Sequence, residues 1–169
     1  VKELPRALDS KKVTALDMGI EVDGVPFIQS GKIGLSLTKD TPRKTITPNA
    51  TVSKLYFMVT ALNQTEKPFA KCVMSRGDGN TITLEWCGDG KGGITTTNSK
   101  NLTTKEIWAG KARFWSNSAK TFAFQPFKVF VTTWTNDNEW LPINKCEFEL
   151  LDPAAQATFL AITGESLKK

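Results

Sequence analysis

The stretch Gly88–Gly93, GDGKGG, packs four glycines round an aspartate and a lysine, and three threonines follow at 95 to 97. Such a composition could cradle a phosphate, hold a metal or turn the chain. A phosphate loop needs Lys followed by Ser or Thr after its second glycine, at the mouth of a helix. Here Lys91 is followed by Gly92, and the threonines beyond are β-branched and favour a strand. A calcium loop needs several oxygen ligands at regular offsets, and Asp89 is the single carboxylate in the stretch. The stretch therefore reads as a mobile glycine-rich connection between TITLEWC and the next strand, available as contact surface.

A second candidate is KCEFELLD, with carboxylates at Glu147, Glu149 and Asp152. Strand side chains alternate, so Glu147 and Glu149 share a face. Two such carboxylates are what a retaining glycosidase uses, one as nucleophile and one as acid. The spacing resembles the acidic strand motif Glu-x-Asp-x-x-Glu of the jelly-roll glucanases, with the second and third residue types exchanged at Glu149 and Asp152. That resemblance implies a β-sandwich glycosidase. The plainer reading is a solvent face, Lys145, Glu147 and Glu149, opposite an inward face of Cys146, Phe148 and Leu150.

Three further motifs carry recognition chemistry. TWTNDNEW sets Trp134 and Trp140 about Asn136, Asp137 and Asn138, aromatic rings beside amides and a carboxylate as in many sugar sites. The same tryptophans serve equally to close the end of a sandwich. Arg76-Gly77-Asp78 spells an adhesion tripeptide, although Gly and Asp are also default turn residues. Asn49, Asn63 and Asn101 each begin a glycosylation sequon, a short match that threonine abundance makes easy to meet by chance.

The 169 residues contain no histidine, which removes the commonest general base, triad partner and imidazole ligand. The three cysteines, Cys72, Cys87 and Cys146, fit no zinc spacing and alternate with apolar neighbours, as buried thiols do. No catalytic, metal or cofactor site is expected, and the chain is read as no enzyme. No apolar run approaches the roughly 20 residues that span a bilayer. The net charge of +5 rests on lysine, with four arginines among 22 basic residues. Lysine acts as a point charge, which suits diffuse attraction to a polyanion rather than sequence-specific reading. The charge is densest at Lys2, Arg6, Lys11 and Lys12, with Arg43 and Lys44 in a loop, and these six are the expected assembly or polyanion contacts.

The elements that must position these residues are strands. Apolar and polar residues alternate through VTALDMGIEV, which turns at Asp23-Gly24 into VPFIQ, and then through KIGLSLTK, KLYFMVTAL, FAKCVMS, TITLEWC, EIWAGKARFW, KTFAFQPFKVFVTTW and KCEFELL. Pro126 places its strand at an edge, a bulge or a bend. Asp152 as N-cap and Pro153 as first helical residue predict a short helix over DPAAQATFLAI. Roughly eight or nine strands joined by Gly, Pro, Asn and Asp turns describe an all-β fold, an antiparallel β-sandwich of jelly-roll form with one C-terminal helix. Residues 1–12 form an extended basic arm and 13–169 a single domain. The expected core is Leu55, Phe57, Val59, Val73, Leu84, Phe122, Phe124, Phe130, Phe148 and Leu150.

A single β domain behind a basic arm, without catalytic machinery, points to a non-enzymatic structural protein that self-assembles, a small-virus coat or phage structural protein. Its partners would be copies of itself and, by charge alone, nucleic acid, and its place the virion. The alternatives are a secreted or surface carbohydrate-binding or adhesion module, with a glycan on the Trp134–Trp140 loop, and the glycosidase. The sequence leaves the compartment open between these.

Overall fold

The computed structural model describes residues 13–16, 19–28, 34–97, 101–116 and 118–166. These form strands and turns, with no helix among the described residues. In chain order the strands are β1 (Val13–Leu16), β2 (Gly19–Val22), β3 (Val25–Ile28), β4 (Leu35–Leu37), β5 (Arg43–Ile46), β6 (Lys54–Leu62), β7 (Pro68–Arg76), β8 (Thr81–Gly88), β9 (Ile94–Thr97), β10 (Leu102–Ser116), β11 (Thr121–Thr135), β12 (Ile143–Leu150) and β13 (Gln156–Glu165).

Two five-stranded antiparallel sheets, β10-β11-β6-β13-β4 and β5-β12-β7-β8-β9, pack face to face. The alternation of each strand decides what lies between them. Leu55, Phe57 and Val59 of β6 meet Cys72 and Met74 of β7, Leu84 and Trp86 of β8, and Cys146 and Phe148 of β12. At the centre the Phe57 and Trp86 rings stand 5.5 Å apart, Trp86 and Phe159 4.9 Å, and Phe148 and Phe159 4.8 Å, in edge-on or tilted contact. Such pairs add about 0.5–1.5 kcal/mol beyond their burial.

A smaller sheet, β1-β2-β3, lies on the outer face of the first large sheet. Val22 and Phe27 pack there on Tyr56, Met58, Ile107, Val129 and Val131. β6 is thus buried on both faces, which explains why KLYFMVTAL reads as a continuous apolar run. The Asp23-Gly24 hairpin forms as its residue types demand, with φ of 50° and 81°. Its first arm is not one strand, however. VTALDMGIEV is split into β1 and β2, which pair antiparallel with Val13 opposite Val22.

The C-terminal segment is a strand, not a helix. Asp152 Oδ1 accepts the Ala154 amide at 2.9 Å and the Asp152 carbonyl accepts the Ala155 amide at 3.0 Å, closing one turn. An Asp-Pro pair starts turns as readily as helices. Beyond it Ala157 and Phe159 alternate into the core, and β13 pairs with both β6 and β4. Two backbone ladders decide the matter over local propensity.

Seven of the ten expected core residues are buried: Leu55, Phe57, Val59, Leu84, Phe130, Phe148 and Leu150. Val73 is out of phase, because Cys72 and Met74 take the inward positions of β7. Phe122 and Phe124 are exposed by 41% and 68%. They hold the same phase as buried Phe130, but β11 pairs with β6 through Phe130–Thr135 alone. Its earlier residues pair only with β10 among the described strands, so the two strands extend beyond β6, and the exposure of Phe122 and Phe124 shows that no facing sheet covers them there. Pro126 lies in this part, where the outer edge of β11 needs no amide donor.

Candidate functional site

The glycine-rich stretch is a closed hairpin turn between β8 and β9. Asp89 Oδ1 accepts the Lys91 and Gly93 amides, each at 2.7 Å, and these two bonds hold its carboxyl below the ordinary carboxylate range. Gly90 and Gly92 take φ of 69° and 86°, and a side chain on Gly88 would run into the Thr65 carbonyl. The glycines therefore serve the turn and a close approach between loops. The amides that would face a phosphate are spent on Asp89.

Arg76 joins two of the sequence motifs. Its guanidinium, 13% exposed, pairs with Asp78 at 3.1 Å and with Asp137 at 2.9 Å. Asp78 in turn accepts the Asn80 amide at 3.0 Å, which with the Asn80 side chain and Arg76 lowers its pKa. Arg76 of the Arg-Gly-Asp turn is thus tied to the Trp134–Trp140 loop, while Gly77 and Asp78 stay exposed. In that loop Trp134 is buried, and Asn136 is buried with its amide donating to the Val52 carbonyl at 2.9 Å and its oxygen accepting the Asn138 amide at 3.1 Å. Asp137, Asn138 and Trp140 reach the surface, Trp140 with 81% exposure. Of the five residues of the expected ligand loop, two are therefore built into the fold.

The paired glutamates alternate outward as read, but each has a cation. Glu149 accepts Lys71 at 2.8 Å and Arg43 at 2.6 Å, which lower its pKa, Lys71 first. Glu147 pairs with Lys145 at 2.9 Å. Glu149, held ionised by its two cations, is poorly suited to act as a general acid. Arg43 and Lys44 stand exposed on β5, the edge of the second sheet, with Arg43 committed to Glu149. Lys2, Arg6, Lys11 and Lys12 lie outside the described residues.

All three cysteines are free and buried. Cys72 and Cys146 sit thiol to thiol between β7 and β12, and burial pushes the Cys72 thiol up. No group of three or more carboxylates or thiols gathers as a metal site among the described residues. Asn49 and Asn63, two of the sequon residues, hold φ of 46° and 57°, a left-handed turn conformation that asparagine tolerates. An open groove of about 620 Å³ lies between the β6–β7 and β12–β13 loops, lined by Glu66, Pro68, Leu151, Asp152 and Pro153 among others.

The feature that sequence reading missed is the ribbon of β10 and β11 beyond their junction with β6. From Ala109 to Pro126 every described side chain except Ala123 is exposed. Lys111 stands opposite Pro126 and Arg113 opposite Phe124, so one face carries Lys111, Arg113, Phe122, Phe124 and Pro126. The Arg113 guanidinium lies 3.9 Å from the centroid of the Phe122 ring. The available signal was charge: residues 107 to 127 hold three cations and no carboxylate. Comparison of the chain with protein-family models, curated sequences and solved structures finds no match.

Proposed function

We propose that this chain is a self-assembling structural protein of jelly-roll form, a coat protein of a small virus. The observation that carries the proposal is the nesting of strand pairs. β4 pairs with β13, β5 with β12, β6 with β11 and β7 with β8. Outermost strands pair with outermost and inner with inner, as when one long antiparallel hairpin is rolled up. The strand orders β4-β13-β6-β11 and β5-β12-β7-β8, with β9 and β10 added at the edges, support a reading as two interlocked Greek keys, the jelly-roll form. This architecture recurs in viral capsids, and also in lectins and cupins, so fold-level analogy is joined here by the expected basic arm. The glutamates of β12, each neutralised by a neighbouring cation, favour a structural over a hydrolytic role.

Sedimentation velocity and electron microscopy of the purified chain test the proposal. Large closed particles are expected, reduced in number when residues 1–12 are deleted. A chain that stays monomeric at all concentrations sinks it. A carbohydrate-binding module is the second reading, favoured by the exposure of Trp140. It predicts a monomer whose tryptophan fluorescence responds to glycans and loses that response in Trp140→Ala.

A further inference from the structure

We infer that the β10–β11 ribbon is a binding site for single-stranded nucleic acid, in which Phe124 and the Arg113–Phe122 pair stack on bases while Lys111 and Lys120 neutralise phosphates. The ribbon leaves the sandwich after β11 parts from β6, and its described side chains are nearly all exposed. An isolated two-stranded ribbon is marginal in water, so a surface of this kind gains from an occupant. Its charge says what occupant: three cations and no carboxylate between 107 and 127 attract a polyanion and repel another basic surface.

The arrangement on the exposed face narrows the class. Phe122 and Phe124 are two residues apart on one strand, so their rings repeat at about 7 Å along the ribbon, two strand rises. Rings spaced along an extended backbone, interleaved with cations, are the elements of a sequence-tolerant single-strand platform. The guanidinium already stacked on Phe122 presents its own outer plane to a base. A duplex keeps its bases stacked inside and would leave Phe124 idle. A bilayer-inserting hairpin would carry an apolar tip, whereas Ser118, Ala119, Lys120 and Thr121 at this turn are small or polar and all exposed, a cation among them. Phe122 and Phe124 follow one another along the flank of β11, where a strand can lie. Ring faces and a guanidinium plane stack on any base, which predicts binding with little base preference.

The inference goes beyond the assembly proposal, since oligonucleotide affinity can be read whatever size of particle the chain forms. The test is fluorescence anisotropy of a labelled oligothymidylate of roughly 20 nucleotides, longer than one platform needs, with the full chain. The single strand should bind more tightly than a duplex of the same length. Phe124→Ala should weaken it on the order of tenfold at constant salt, and Phe124→Tyr should restore it. Lys111→Gln should make the logarithmic salt slope shallower by about 0.7. Basic residues elsewhere contribute equally to all variants, and urea midpoints verify that these exposed substitutions leave the fold intact. Equal affinity of Phe124→Ala and the parent overturns the site. So does tighter binding of duplex, or Phe124-dependent capture of phosphatidylserine vesicles without capture of the oligonucleotide. A change of particle size in Phe124→Ala with unchanged affinity would assign the ribbon instead to a second copy, and also overturns it.

Discussion

Trp86 donates its indole N–H to the Thr132 hydroxyl at 2.9 Å, and this bond crosses the core from one large sheet to the other. Both residues are fully buried, and Thr132 also shares a hydrogen bond of 3.0 Å with Thr104 on β10. A polar group at the centre of an apolar core is tolerable because each donor finds an acceptor. Thr132→Val keeps the shape and removes the acceptor, leaving the indole N–H buried and unpaired. The expected cost is about 1–3 kcal/mol by urea denaturation. An unchanged midpoint would mean that the bond contributes nothing to sheet docking.

Tyr56 is the sole tyrosine, so its titration can be followed without overlap from another phenol. Burial under the β1-β2-β3 sheet, and then the hydrogen bond to Glu165 at 2.8 Å, push its pKa up to about 12. The folded value lies above the unfolded value of about 10, so the neutral phenol is preferred by the fold. The corresponding stability is complete below pH 10 and is lost as pH rises through 12. Tyrosinate absorbance should therefore rise near pH 12 in the folded chain and near 10 in denaturant. Glu165→Gln should lower the folded midpoint while leaving it above 10, since burial is the larger cause. A folded midpoint at 10 would show that the small sheet does not cover β6.

In acid the sign reverses. Asp78, Asp89 and Glu149 all have folded pKa values lowered, the first two mainly by backbone amides and the third by Lys71 and Arg43. Their contribution is present above the unfolded carboxylate values of about 4 and disappears as pH falls through the folded ones. With no histidine to titrate between, the urea midpoint should be level from about pH 5 to 8 and fall below about 4. Asp89→Asn should make that fall shallower. A midpoint that drops between pH 7 and 5 would require a titrating group not among these three.

What the sequence made legible follows from how local each signal is. The Asp23-Gly24 hairpin, the alternation of Cys146, Phe148 and Leu150, and the buried thiols depend on a residue and its immediate neighbours, and the structure bears them out. The C-terminal helix failed because Asp152 and Pro153 start a turn in either context, and two partner strands distant in sequence settled the outcome. The turn at Arg76-Gly77-Asp78 was legible from its residue types, but the ion pair that ties Arg76 to Asp137 was not, because that partner lies 61 residues away. Phe122 and Phe124 failed differently. Their alternation was read correctly, but alternation gives the face of a residue and says nothing of whether another sheet lies opposite that face.

That distinction makes the sharpest comparison between two phenylalanines of similar local pattern. Phe159 on β13 is 1% exposed and meets Trp86, Phe57 and Phe148 in the ring cluster, whereas Phe124 on β11 is 68% exposed beyond the end of the opposite sheet. Removing a ring from the cluster leaves a cavity walled by side chains from both sheets, which cannot collapse without moving them. Phe159→Ala should therefore cost about 3–5 kcal/mol. Phe124→Ala removes a ring already largely in water and should stay within about 0.5 kcal/mol. Urea denaturation of the two variants beside the parent, under conditions where all are unassembled, measures both. A large loss at Phe124 would place the ribbon in a packed core, and a small one at Phe159 would move β13 out of it.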